Sequence, residues 1–132
     1  MSLERYGRRM YEERYRPHVA FRVEMWKVLC QDFFQRYIPE GSTVLEIGGG
    51  TCEFINQIRA AQRIVVDTNE ALPEFCAAGV RPIVTSSTDL SAISDASVDV
   101  VFVSNFFEHL TRESIVRTLE AVSYTHLTLP TI

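Results

Sequence analysis

The residues with chemistry to offer in this 132-residue chain gather in four places. The first is Glu46-Ile47-Gly48-Gly49-Gly50-Thr51-Cys52, where an acid and three glycines follow the apolar run Val44-Leu45. Glycines let a backbone turn sharply and let a ligand approach the main chain. An amphipathic pattern starts directly afterwards, so the free N–H groups of a helix start would favour an anionic group over the turn. The second is Asp67, with Thr68 beside it, at the end of the β-branched run Ile64-Val65-Val66. A carboxylate there can accept two hydrogen bonds from ribose hydroxyls. The third is Asp89-Leu90, and the fourth is Ser104-Asn105 with Glu108 and His109 just beyond. Glu108 and His109 are side chains that can take up a proton.

Taken singly, each has an ordinary explanation. Asp67 and Asp89 are residue types that form turns. Asp99 can simply anchor a loop, and His109 can cap carbonyls or pack against a helix. Cys52 reads as a small hydrophobe beside the turn rather than a nucleophile, because no His or Lys lies near it in sequence.

Spacing and order separate two nucleotide-site readings. A dinucleotide fingerprint, G-x-G-x-x-G/A, counted from Gly48 and Gly50, needs a small residue at position 53, and Glu53 stands there. By contrast, residues 46–52 resemble motif I of the class I S-adenosylmethionine-dependent methyltransferases, acid-x-Gly-x-Gly-x-Gly. Glu46, Gly48 and Gly50 match, and Cys52 replaces the last glycine. The segment 97–110, Ser-Val-Asp-Val-Val-Phe-Val-Ser-Asn-Phe-Phe-Glu-His-Leu, is similar to the stretch running from that family's fourth strand to its Glu-His-Leu turn. The resemblance covers about 43–121. It implies S-adenosylmethionine as cofactor; no metal site is expected, because the three cysteines lack the spacing of one. Glu46 and the Gly48, Gly49 and Gly50 backbone would hold the methionine end, with Cys52 in the same loop. Asp67, with Thr68, would bind the ribose. Asp89 would accept from the adenine amino group, Leu90 would offer a backbone N–H to the ring, and Ser104 and Asn105 would complete the edge. The Glu-His-Leu form, without a Pro-Pro-aromatic run, implies a small-molecule or sugar- or lipid-linked acceptor rather than nucleic acid.

These residues need elements to position them. Val19, Val23, Trp26, Cys30, Phe33 and Tyr37 recur at steps of four and three, which predicts an amphipathic helix from Pro17, packed on a sheet and stopped by Pro39-Glu40-Gly41-Ser42. Residues 4–16 read as a polar loop or short helix. Strands are predicted at about 43–47, 63–67, 82–85 and 98–103. Helices are predicted at about 53–61, from Pro73 to Gly79, and at 112–121 with Thr111 as N-cap and Ile115, Val116 and Leu119 inward. Strands alternating with helices mean an α/β fold. With the resemblance, the expectation is a Rossmann-like parallel sheet in the order 3-2-1-4, the family's remaining strands missing. Residues 1–42 would form a helical cover and 43–121 a partial cofactor-binding domain.

Composition fits a single domain of ordinary make-up, 46% hydrophobic and 23% charged. The net charge of −4 hides eight Arg and Lys against five Asp and Glu in residues 1–36. That basic segment reads as a solvated helix face, and the acidic remainder disfavours a phosphate backbone as partner. No apolar run reaches the ~18 residues that span a membrane, and Met1-Ser2-Leu3-Glu4-Arg5 has no signal-peptide core. Three cysteines without C-x-x-C spacing point to a reducing, cytoplasmic compartment.

After Ala121 the family's Pro-Gly-Gly turn and fifth strand are expected. Residues 122–132 instead read Val-Ser-Tyr-Thr-His-Leu-Thr-Leu-Pro-Thr-Ile, which resembles adapter read-through, and they are expected to be non-native. The chain alone is then expected to be an inactive portion of an S-adenosylmethionine-dependent methyltransferase. The alternatives are an NAD-dependent oxidoreductase and a non-catalytic cofactor-binding module.

Overall fold

The computed structural model describes residues 19–126. The polar stretch 4–16, Pro17 and the end of the tail from Leu127 lie outside the described residues. Helix α1 is Val19–Asp32, continued by a 3-10 turn at Phe34–Tyr37. Strand β1, Thr43–Ile47, leads through the glycine turn to a short helix α2, Glu53–Gln57. Then come β2, Gln62–Asp67, a single helical turn α3, Leu72–Phe75, and β3, Val80–Val84. An irregular segment reaches β4, Val100–Val103, and a 3-10 turn at Phe107–His109 precedes α4, Arg112–Thr125.

All four strands pair in parallel, in the order β3-β2-β1-β4, as expected. Leu45 sits between Ile64 and Val101, and Glu46 between Val65 and Phe102. The two-residue alternation of the strands then sorts side chains onto two faces. One face packs Val44 and Val65 with Phe54, Ile55, Ile58 and Leu72 of α2, α3 and their flanks. The other packs Leu45, Ile47, Ile64 and Val66 with Leu90, Ile93 and Val98, and with Ala121 and Val122 of α4. Pro82 sits in β3, at the sheet edge, where a missing N–H costs least. Among the described residues β4 forms the other edge.

Two helical faces differ from the sequence expectation. Of the predicted α1 face, Cys30 is buried and Trp26 half-buried, while Val19, Val23, Phe33 and Tyr37 are exposed. The reason is geometric: α1 lies along α2, and Trp26, with Phe34 just beyond the helix, meets Phe54 of α2 and Phe102 of β4 edge-on at 5.1–6.2 Å, while Cys30 is buried in the same cluster. On α4, Val116 and Leu119 are exposed and Ile115 half-buried. The buried stripe runs instead through Thr118, Ala121, Val122 and Thr125. A buried hydroxyl pair selects that stripe, with Ser87 and Thr118 bonded at 2.7 Å. Thr111 caps α4 as expected, its Oγ1 accepting from the Ser114 N–H at 3.1 Å. The helix runs four residues past Ala121. Its carboxyl end is tied to the β4 approach, where the Ala96, Ser97 and Val98 N–H groups donate to the Tyr124 and Thr125 carbonyls. Among the described residues no helix is long and apolar enough to cross a membrane.

Candidate functional site

Parallel strands that all point one way bring their carboxyl ends to one edge, where α/β proteins hold ligands. A small cleft opens there, lined by Gly48, Val66, Asp67, Thr68, Thr85, Ser87 and Phe106, so every strand end contributes. A larger groove of about 340 Å³ opens beside the start of β2, at the opposite edge, between Glu40, Asn56, Arg59 and Arg63. Its cations are already committed: Arg59 pairs with Glu40 at 3.0 Å, and Arg63 donates to the Ile55, Asn56 and Ala78 carbonyls. It is a helix-end cap, not a second ligand site.

The glycine turn is built by close packing. Gly48 has φ +72° and its N–H donates to the Val66 carbonyl at 2.8 Å. A Cβ on Gly48 would overlap the Phe106 ring, and one on Gly49 would overlap the Val65 side chain. These are positions where only glycine fits. Cys52, in place of the family's last glycine, takes φ +64°. Its side chain is fully buried beneath the turn, facing Cys76, so only its backbone is available at the ligand edge.

Asp67 ties the first two strand ends together. One carboxylate oxygen accepts from the Gly50 N–H and the other from the Asn69 N–H, both at 2.9 Å. Each oxygen keeps a further lone pair. Asp89, exposed in the turn after β3, accepts from the Ser91 hydroxyl at 2.6 Å and from the Ser91 N–H at 3.1 Å. Those two bonds hold its carboxyl below the usual range, the hydroxyl contributing most. Thr85 reaches across to the Asp89 carbonyl. Leu90 is buried in the core.

Glu46, near the end of β1, is turned into the protein. Helix α2 has only five residues, and an acceptor for one of its first N–H groups is supplied by the protein itself. Glu46, 6% exposed, accepts from the Ile55 N–H at 3.1 Å. Burial pushes its carboxyl up to about 8; the Ile55 bond opposes this, and Glu53 and Asp67 add to it. The folded chain therefore keeps this proton up to about pH 8, whereas the unfolded chain loses it near 4.5. Between those values the folded state binds more protons, so this group makes stability fall as pH rises, with no further change above about 8. Urea midpoints of the wild type and Glu46→Gln are expected to converge near about pH 5 and diverge towards pH 8, the wild type becoming the weaker. Parallel curves would mean that Glu46 is ionised throughout.

The remaining candidates sit at the rim. Asn105 takes φ +50°, is exposed, and donates to Ser104 at 3.3 Å. The side chains of Glu108 and His109 are both exposed and lie 3.8 Å apart. Asp99 lies at the far edge, accepting from the Thr43 N–H at 2.8 Å, and so has the anchoring role. Sequence reasoning missed Thr85, Ser87 and Phe106, which line the cleft. It also missed the ion pair of Arg22 with Glu53, 3.0 Å, which fastens α1 over the start of α2. Nothing in the local sequence marks these residues, since their roles come from elements distant in the chain. Among the described residues no group of three His, Cys, Asp or Glu is placed to hold a metal ion.

The model of a methyltransferase domain matches residues 45–123. No curated protein matches the chain. Solved structures do. A SAM-dependent methyltransferase from Archaeoglobus fulgidus is 26% identical, with a TM-score of 0.63 over 79% of this chain and 48% of its own. A SAM-dependent methyltransferase from Thermotoga maritima, described as a possible histamine N-methyltransferase, is 20% identical with a TM-score of 0.63 over 93% and 54%. Phosphoethanolamine N-methyltransferase 1 of Haemonchus contortus, solved with phosphoethanolamine and S-adenosylhomocysteine, is 14% identical with a TM-score of 0.66 over 96% and 31%. The chain thus spans about a third to a half of the length of these structures. The last two likenesses speak for the fold alone. The family match takes in more than half of the chain, from within β1 nearly to the end of α4. Together with the parallel order β3-β2-β1-β4 and the glycine turn at the strand ends, it means that the chain belongs to the methyltransferase domain family.

Proposed function

We propose that the chain binds S-adenosylmethionine at the carboxyl edge of its sheet and is the cofactor-binding portion of a methyltransferase for a small-molecule or sugar- or lipid-linked acceptor. The single observation that carries this reading is Asp67. It stands in the cleft at the end of β2, joined to the glycine turn through Gly50 and held from both sides by N–H donors. The donor set suits an adenosine. Asp67 has lone pairs left for a vicinal diol, Thr68 and Thr85 offer hydroxyls beside it, and Asp89 is a charged acceptor for an exocyclic amine. The Gly48 and Gly49 backbone, pressed between Phe106 and Val65, forms the floor. Glu46 fixes the start of α2 and so the course of the turn.

When bound, this cofactor supplies a methyl group already activated on sulfonium. The protein's task is then chiefly alignment, for which proximity and orientation can supply about 7–11 kcal/mol. Exposed Glu108 and His109 at the rim are the candidates for taking a proton from an acceptor that still carries one. His109→Ala with unchanged turnover in a longer, active version would remove the histidine from that role. The match takes in only about a third to a half of each of these relatives, and this chain alone is expected to bind cofactor without turnover.

Calorimetry with S-adenosylhomocysteine tests the reading directly. One site per chain in the micromolar range, with NAD binding at least about tenfold weaker, is the expected result; a tenfold ratio corresponds to about 1.4 kcal/mol. Tighter binding of NAD would move the chain to the dinucleotide reading. Position 53 speaks against that outcome, because a glutamate held by Arg22 stands where that fingerprint needs a small residue.

A further inference from the structure

Cys52 and Cys76 come from different elements, yet their sulfurs lie 3.8 Å apart. Cys52 belongs to the glycine turn, and its backbone is fixed on both sides. Its N–H donates to the Gly49 carbonyl at 2.8 Å, and its own carbonyl accepts from the Asn56 N–H at 3.0 Å. Cys76 follows α3, and its neighbours are clamped by one side chain. Asn56 Nδ2 donates to the Phe75 carbonyl at 2.8 Å, while Asn56 Oδ1 accepts from the Ala77 N–H at 2.9 Å. The same residue that receives the Cys52 turn therefore grips the chain on either side of Cys76. Closing the sulfurs to the roughly 2.0 Å of a disulfide needs rotation of two side chains and small backbone shifts. Cys30, the third thiol, is buried elsewhere and bonds to the Phe54 carbonyl at 3.8 Å.

We propose that Cys52 and Cys76 are a dithiol poised to pair, a modification site that takes a low-molecular-weight disulfide such as glutathione disulfide and closes into a reversible staple beneath the glycine turn. Access sets the order of events. Cys76 is half-buried and reachable, whereas Cys52 is fully buried. The Cys76 sulfur attacks one sulfur of glutathione disulfide. A Cys76–glutathione bond forms, the glutathione S–S bond breaks, and one glutathione leaves with the Cys76 proton. The Cys52 sulfur then attacks Cys76 Sγ, forming the Cys52–Cys76 bond and releasing the second glutathione with the Cys52 proton. Two electrons pass to glutathione disulfide, which is reduced to two thiols. Burial raises both thiols above their usual range, and the neighbouring Cys76 sulfur adds to this at Cys52, so each gives up its proton only as it attacks. The staple would join the glycine turn to the segment that follows Asp67, the two arms already bridged by the Gly50–Asp67 bond. Its formation does not depend on which cofactor the cleft holds.

The test is peptide mapping. The full chain is treated with glutathione disulfide under native conditions, its free thiols are alkylated, and it is digested with trypsin without reduction. Arg36, Arg59 and Arg63 place the three cysteines on separate peptides. The expected product is a single cross-link between the Cys52 and Cys76 peptides, with Cys30 alkylated, reversed by dithiothreitol. Cys52→Ala should leave glutathione on Cys76, and Asn56→Ala should slow the cross-link several-fold with both thiols intact. The same treatment in guanidinium chloride should spread the links over all three cysteines. Wild type that stays free or glutathionylated at Cys76, or the same distribution of links with and without denaturant, would overturn the proposal.

Discussion

Replacing Asp67 with alanine is expected to weaken S-adenosylhomocysteine binding about a hundredfold, read by calorimetry. The size follows from the hydrogen bonds at stake. A bond to a charged group contributes roughly 1.5–3 kcal/mol, and a ribose diol would make two. At the lower end, fitting a cleft near solvent, the loss of both comes to about 3 kcal/mol, which is two decades in Kd. Asp67 also receives the Gly50 and Asn69 N–H groups, so its removal loosens the glycine turn. Those N–H groups lie near the cleft and can turn to water, so the melting temperature should fall by far less than the affinity suggests. Asp67→Asn should behave almost as badly, because its NH2 must face one of the two N–H donors. Affinity within about threefold of wild type, or roughly 0.7 kcal/mol, would take Asp67 out of the binding site.

Phe54→Ala is expected to cost about 3–5 kcal/mol of stability, the usual range for deleting a buried aromatic ring. Phe54 is 1% exposed. It stacks face to face on Phe102 of β4, ring centres 3.6 Å apart, and meets Trp26 and Phe34 edge-on at 6.2 and 5.8 Å. One ring therefore joins α2, the sheet and the α1 layer. Against a total of roughly 5–15 kcal/mol for a domain, the loss leaves little in reserve. A fall in melting temperature of roughly 15 °C is expected by circular dichroism. Phe54→Leu, which keeps most of the volume, should recover more than half of it. A drop under about 5 °C for the alanine variant would mean that the four rings do not form one cluster.

How much of this was legible beforehand depended on the range of the interactions. Strand positions were readable because short β-branched or apolar runs such as Ile64-Val65-Val66 and Val100–Val103 suit a pleated, buried surface. The glycine turn was readable because three adjacent glycines serve few other purposes. The helical faces were less so. On α4, Val116 and Leu119 have the spacing of a buried stripe, but Thr118 turns inward because Ser87, 31 residues earlier, offers its hydroxyl a partner. On α1, periodicity showed a helix but not that most of its predicted face would stay exposed, with burial on that face confined to Cys30 and to Trp26 against Phe54 of α2 and Phe102 of β4. The predicted helix of 53–61 stops at Gln57, where Arg63 caps the Ile55, Asn56 and Ile58 carbonyls.

The sequence by itself determined the α/β alternation, the nucleotide-type turn and the acids Asp67 and Asp89 at strand ends, because each rests on neighbours within a few residues. The tertiary structure alone decided the rest. It set Asp67 on Gly50, turned Glu46 inward to Ile55, laid Phe106 over Gly48 and brought Cys52 to Cys76. Each of those pairings joins residues 9 to 58 positions apart, and only the parallel stacking of β3, β2, β1 and β4 brings such distant residues into contact.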